Sequence, residues 1–293
     1  MSRLHLAGII PIANLETDFG LSIPEVLLPV GQNFSAIQKS VFECAMAGCN
    51  TIWIVANDDL APVVRETIGD WIYDPVYYHS LAKFSSEQRK EIPIYYIPIH
   101  PKDRDRRDSY GWSILYGAYS AWRVAHKISQ WLTPDKYYVS FPMGAYAVDD
   151  LRSHRQAIGH RSRNFFLTFE GKSVKDNLPL SFTMFGEDFK ACRRSVNKKT
   201  TRAYLSPQDG EQYPSQKLPL DKRWSARHFE LEDIFGDVNE TDGTKWDLGW
   251  YYDLSRWSGY RNFLASDNVI ETPEEGLTKP HIHVRLPYTE GEK

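Results

Sequence analysis

The sequence predicts an α/β fold, a mixed and mainly parallel sheet flanked by helices, on three observations. Nearly continuous apolar runs of strand length recur at Leu4–Ile12, Thr51–Ala56, Ile92–Ile99 and Tyr137–Phe141; such runs suit strands buried on both faces. Segments with helical spacing fall between them, and that alternation implies right-handed crossovers and parallel pairing. The chain has 293 residues, 42% hydrophobic and 25% charged. That is enough to bury a sizeable core without disulfide or metal staples.

Each element follows in order. Leu4–Ile12 opens the chain as a buried strand. Phe34, Ile37, Val41 and Ala45 recur at helical spacing, with Asn33 placed as cap and Gly48 as stop. Thr51–Ala56 is the second strand, and Leu60–Tyr73 reads as a second helix. Ile92–Ile99 is a third strand, Trp112–Trp131 a long helix and Tyr137–Phe141 a fourth strand. Beyond Asp150 the pattern weakens. Asn164–Phe169 and Leu180–Phe185 read as strands, Glu187–Val196 as a short helix, and Lys198–Asp221 as a polar loop. Trp250–Leu264 returns to helical character, and the Pro-, Glu- and Gly-rich tail from Glu271 reads as a docking arm or a disordered segment. In domain terms, residues 1–266 form one unit, with a core of 1–150 and 244–266 and an insertion-like region at 151–243, followed by a tail at 267–293. Ligands on open sheets of this kind sit beyond the carboxyl ends of the strands. The loops after Ile12, Ala56, Ile99 and Phe141 therefore face the candidate site.

Composition narrows the partners. A formal charge of −3 gives no basis for nucleic acid as the default partner. The longest apolar stretches are too short to span a bilayer, and the first residues lack a signal peptide's apolar run. Cys44, Cys49 and Cys192 have no metal spacing and read as buried or incidental thiols in a reducing, cytoplasmic compartment. Aromatic residues reach 14%, with nine Trp and seventeen Tyr. They either fill the core or stack on a ligand and line a protein interface, a second copy of the chain included.

The order of features from Leu6 to Val55 is specific. Ala7-Gly8-Ile9-Ile10-Pro11-Ile12-Ala13 leads through a loop to Ile23-Pro24-Glu25-Val26-Leu27-Leu28-Pro29-Val30-Gly31, a helix over Ala36–Ala47, Gly48, and Thr51-Ile52-Trp53-Ile54-Val55. Tyr110-Gly111-Trp112-Ser113 then opens the long helix, and Trp250-Tyr251-Tyr252-Asp253-Leu254 with Trp257 and Tyr260 lies near the end. This series resembles the sugar nucleotidyltransferases, the nucleoside-diphosphate-sugar pyrophosphorylases of GT-A-like, Rossmann-like fold. The resemblance implies a nucleotide or nucleotide-sugar ligand and nucleotidyl or glycosyl transfer. It places the nucleotide at Pro11, Ile12 and Ala13, with the base against Gly111 and Ser113. It further implies magnesium or manganese held by acidic residues, for which Asp253, Asp247, Asp149 and Asp150 are the candidates.

The same comparison exposes departures. The loop Asn14–Gly20 carries one glycine, no Lys or Arg, and two acids where the family has a glycine-rich phosphate loop. Glu25 stands at the family's Lys position and Met143 at its first metal Asp. A thioether is no ligand for magnesium. A non-catalytic descendant with a binding or assembly role is therefore the alternative to an enzyme, and no catalytic residue is assigned. Lys102, Arg104, Arg106 and Arg107, interleaved with Asp103, Asp105 and Asp108, are either a replacement phosphate clamp or a solvated, self-compensating loop. Arg193, Arg194, Lys198, Lys199 and Arg202 are either an anion-binding group or a solvated helix end. His281 and His283 share a strand face at a spacing zinc accepts, without an evident third ligand. Gly111→Val is expected to abolish nucleotide binding while sparing the fold.

Overall fold

Side-chain alternation along the central strands decides the layers. In the computed structural model, which describes residues 4–76, 90–100, 109–128, 133–200, 209–210, 212 and 229–273, the chain runs β1 (Leu6–Pro11), β2 (Pro29–Gly31), β3 (Phe34–Ser35), α1 (Ala36–Ala47), β4 (Thr51–Ala56), α2 (Leu60–Ile68), β5 (Trp71–Tyr73) and β6 (Glu91–Pro98). It continues through α3 (Tyr110–Ile128), β7 (Lys136–Val139), β8 (Gly144–Ala145), α4 (Leu151–Ile158), β9 (Phe165–Thr168), β10 (Phe182–Phe185) and α5 (Gly186–Thr200). The last elements are α6 (Leu231–Phe235), β11 (Thr244–Asp247), β12 (Tyr252–Asp253) and α7 (Trp257–Leu264).

An eight-stranded sheet has the order β11-β9-β10-β7-β1-β4-β6-β5. β1 pairs in parallel with β4 and β7, β4 with β6, and β9 with β11. β10 runs antiparallel to β7 and β9, and β5 antiparallel to β6. The four strands expected from the apolar runs lie together in this sheet, and the predicted α/β class holds.

Period-two alternation sends Leu6, Ile10, Ile52, Ile54, Tyr138 and Leu167 to one core, covered by α1, α2, α4 and α7. Ala7, Ile9, Trp53, Tyr137, Val139 and Phe166 go to the other, covered by α3, α5 and α6. Two helices come unusually close to the strands. A Cβ on Gly8 would lie 2.8 Å from Cys44 Sγ of α1, and one on Gly117 of α3 would lie 2.8 Å from Ile9. All three cysteines are buried and free. No helix among the described residues is long and apolar enough to cross a membrane.

Several boundaries differ from expectation. The cap of α1 is Ser35, not Asn33: Ser35 Oγ accepts from Gln38 N–H and Gln38 Oε1 accepts from Ser35 N–H, a complete capping box. Asn33 sits at φ 54°, in the turn between β2 and β3. The predicted Leu60–Tyr73 helix stops at Ile68 because Gly69 takes φ 94°, and Trp71–Tyr73 turns back as an edge strand. Helix α5 runs on to Thr200 into the segment read as a loop, whose residues 201–208, 211 and 213–221 lie outside the described residues. Only Trp257–Leu264 of the Trp250–Leu264 segment is helical. Strands β9 and β10 come from the 151–243 segment, and Ile270 packs into the core beside α7.

Candidate functional site

Parallel pairing puts the carboxyl ends of β1, β4, β6 and β7 on one edge. β1 ends where both Ile12 and Ala13 donate their N–H groups to Val55 O at 2.9 Å. The chain then turns through Asn14 at φ 57°, a left-handed conformation that Asn tolerates. Ser113, buried in the first turn of α3, donates its hydroxyl to Ala13 O at 3.1 Å. Asn14 Nδ2 lies 3.5 Å from Ser113 Oγ. Ser109 Oγ accepts from Trp112 N–H, so the helix start is partly capped by its own chain.

The loop 14–20 does not stand open. Asp18 N–H donates to Ser255 O at 3.1 Å, and Asp18 Oδ1 accepts from Trp257 N–H at 2.7 Å, at the start of α7. Phe19 meets Trp257 edge-on. A carboxylate at a helix N-terminus is favourably placed, so the acid that would repel a triphosphate is engaged in holding two segments together.

After β7 the chain makes a tight turn to β8, fastened from beneath. Lys39 and Glu43, one helical turn apart on α1, are fully buried and paired at 3.1 Å. Lys39 Nζ also donates to Phe141 O at 3.2 Å and Gly144 O at 2.8 Å. Glu43 accepts the hydroxyls of Tyr138 at 2.7 Å, Ser140 at 2.7 Å and Ser181 at 2.5 Å. Burial pulls the Lys39 ammonium's pKa down while Glu43 opposes it; burial and Glu43 both push the Tyr138 hydroxyl up. Every lone pair and proton that matters has a partner, which is what lets a charge pair sit in a core. Across the turn, β12 pairs with β8, placing Asp253 opposite Gly144.

No protein-family model matches the sequence, and no curated protein matches it. Solved structures do match. A candidate glucose-1-phosphate thymidylyltransferase from Bacillus anthracis, solved with sucrose, aligns over 92% of this chain and 98% of its own, at 11% identity and a TM-score of 0.54. That likeness decides the architecture. The chain has the sugar nucleotidyltransferase fold. A CTP:phosphocholine cytidylyltransferase from Streptococcus pneumoniae covers 88% of this chain and 97% of its own, at 12% identity and TM-score 0.47. A UTP-bound UGPase from Acinetobacter baumannii covers 89% and 93%, at 15% identity and TM-score 0.44.

In this nucleotidyltransferase fold, Pro11, Ile12 and Ala13 end β1 at the edge, where Ser113 bonds Ala13 O. Gly111 faces elsewhere. A Cβ there would lie 2.5 Å from Ile234 Cδ1 and 3.6 Å from Phe235 Cε2. Gly111→Val would therefore disturb the α3–α6 contact, and the expectation that it spares the fold is corrected. Met143 is buried in the core and accepts Leu254 N–H at its carbonyl. Lys102, Arg104, Arg106 and Arg107 lie outside the described residues, as do Arg202, His281 and His283. The Arg193 guanidinium stacks 3.8 Å above the Tyr119 ring.

The carboxylates do not assemble a magnesium site. Asp253 Oδ1 accepts from Ser255 N–H at 3.0 Å and Ser255 Oγ at 2.6 Å. Asp247, on the far edge strand, accepts from Thr168 Oγ1. Asp149 and Asp150 precede α4. Among the described residues no three His, Cys, Asp or Glu side chains form a group fit to hold a metal ion.

Two further features stand out. A groove of about 690 Å³ between α3 and β6 is lined by Trp53, Tyr95, Trp112, Tyr116, Tyr119 and Arg193, among others. At the start of β7, buried Lys136 donates to the carbonyls of Ile158 at 2.8 Å, His160 at 3.1 Å and Arg163 at 2.6 Å. Burial pushes its pKa down to about 7, with Asp188 opposing.

Sequence reasoning passed over Lys39 and Glu43. An i,i+4 Lys/Glu pair usually marks a solvated helix face. Lys39, Ser40 and Glu43 share one side of α1 opposite Ile37, Val41, Cys44 and Ala45, and nothing in the local sequence marks that side as buried.

Proposed function

We propose that this chain binds a nucleotide or nucleotide-sugar at the carboxyl edge of β1, between Ala13 and the first turn of α3. One observation carries the proposal: the Ser113–Ala13 hydrogen bond, which joins the end of the first strand to the start of the long helix at the edge where ligands of open α/β sheets bind. The nucleotidyltransferase fold supports the ligand class. The base approaches Pro11–Ala13 and Ser113, and Asn14, turned by its left-handed backbone, borders it.

Nucleotidyl transfer by the ordinary magnesium route is not part of this proposal. Met143 is committed to the core, Glu25 reverses the charge of the family's Lys, and among the described residues no three acidic, His or Cys side chains group to hold a metal. Without that Lys or a held cation, the transferring phosphate keeps charge that the ordinary route neutralises. A thermal-shift panel of nucleoside mono-, di- and triphosphates and their sugar conjugates, with and without magnesium or manganese, tests the binding proposal. A ligand at 100 times its Kd stabilises by about 2.7 kcal/mol. A panel without a single shift would remove it.

A further inference from the structure

Two tyrosine hydroxyls are left over from the edge's own hydrogen bonding. Tyr110 opens α3 and Tyr251 precedes β12, yet both rings reach the turn between β7 and β8. The Tyr110 ring packs on Phe141 with centroids 5.5 Å apart, and Tyr251 Cε2 lies 3.1 Å from where Gly144 would carry a Cβ. Both hydroxyl oxygens are buried without a hydrogen-bond partner among the described residues. Asp253 stands opposite Gly144 in the β12–β8 pair; burial pushes both phenol pKa values up and the Asp253 carboxylate adds to each, so both phenols keep their protons. Asp253 uses Oδ1 on Ser255, and the Arg256 Nε lies 3.6 Å from Oδ2.

We infer that Tyr110, Tyr251 and Asp253 seat a sugar hydroxyl, and that they do so without a divalent cation. This deepens, and rests on, the nucleotide-sugar proposal above. A hydroxyl suits the trio because it accepts a phenolic O–H and donates to a carboxylate in one position. A phosphoryl oxygen only accepts, and Asp253 would repel it. Among the described residues a magnesium ion would find one carboxylate here, Asp253, with a buried Met143 and two protonated phenols around it. Leaving polar groups unpaired until the cognate ligand arrives gives a site strong discrimination against ligands that lack the matching group. Entry requires the loop 14–20, fastened at Ser113 and at Ser255–Trp257, to open.

Titration calorimetry in EDTA compares UDP-glucose, dTDP-glucose and GDP-mannose with UDP, dTDP and GDP on the wild type, Tyr110→Phe and Tyr251→Phe. At least one sugar conjugate should bind the wild type in EDTA. Each Phe variant should bind that conjugate about fivefold to tenfold more weakly, the loss of one hydrogen bond, while its affinity for the matching diphosphate is unchanged. The melting temperature of each unliganded variant should equal or exceed the wild type's, because an unpaired buried hydroxyl is gone. Wild-type binding that vanishes in EDTA overturns the inference, as does an equal loss for conjugate and diphosphate. A lower unliganded melting temperature with full affinity also overturns it, since the hydroxyls would then hold an internal water. Wild type that binds none of the six, with or without magnesium, overturns the nucleotide proposal itself.

Discussion

Replacing Lys39 by Met tests whether the turn between β7 and β8 is held from beneath by an ion pair. The substitution removes the ammonium that lies 3.1 Å from Glu43 and orphans the carbonyls of Phe141 and Gly144, which it reaches at 3.2 and 2.8 Å. Glu43 would keep the hydroxyls of Tyr138, Ser140 and Ser181 but would be a buried anion without a counter-charge. Removing one member of a buried pair costs about 3–5 kcal/mol. That is a large part of the roughly 5–15 kcal/mol holding a domain folded. Urea unfolding should show a lower midpoint with an unchanged slope. Adding Glu43→Gln should recover part of the loss, because the amide oxygen still accepts from Tyr138 and Ser181 and the amide N–H can donate to the Ser140 oxygen, with no buried charge left. The coupling energy of that cycle should lie within about 0.5–3 kcal/mol. A Lys39→Met protein within about 1 kcal/mol of wild type would refute the reasoning.

The other predictions are briefer. Lys136 is held at a pKa of about 7, whereas an unfolded lysine titrates near 10.4. Between those values only the unfolded state holds the proton, so stability should rise with pH across that window; urea midpoints for Lys136→Met should rise less over it. Gly111→Val should lower the urea midpoint by an amount equivalent to about 1–3 kcal/mol, the cost of overpacking; a wild-type midpoint would show that Ile234 moves aside freely. Pyrophosphate release from nucleoside triphosphates, sugar phosphates and magnesium should be very weak or absent. Robust turnover that disappears in Asp253→Asn would show an active metal site after all.

The sheet was legible because its strands are buried on both faces and its helices keep a 3.6 period. Ile9, Ile52, Ile54 and Val139 announce themselves without tertiary context. β5 was hidden because Trp71-Ile72-Tyr73 continues the apolar rhythm of α2, and only Gly69 marks the break. β11 was hidden because Thr244-Lys245-Trp246-Asp247 is a half-exposed edge strand with one apolar residue. The Ser35–Gln38 capping box was readable and lost to a more obvious Asn33. Tyr251 and Asp253 belong to a motif the sequence did single out, but their place beside Gly144 depends on β8 pairing with β12. No local pattern encodes that pairing, nor the contact of Tyr110 on Phe141, because both are consequences of topology.

The location of the ligand is the central claim, and hydrogen–deuterium exchange with and without a nucleotide-sugar found by the thermal panel tests it most directly. Backbone amides of residues 9–20 and 109–116 should gain protection on binding, with a second gain at 251–257 as the sugar engages Tyr251 and Asp253. Protection confined to residues 119–127 of α3, on the far part of the groove, or to the region around Lys136, would contradict the account.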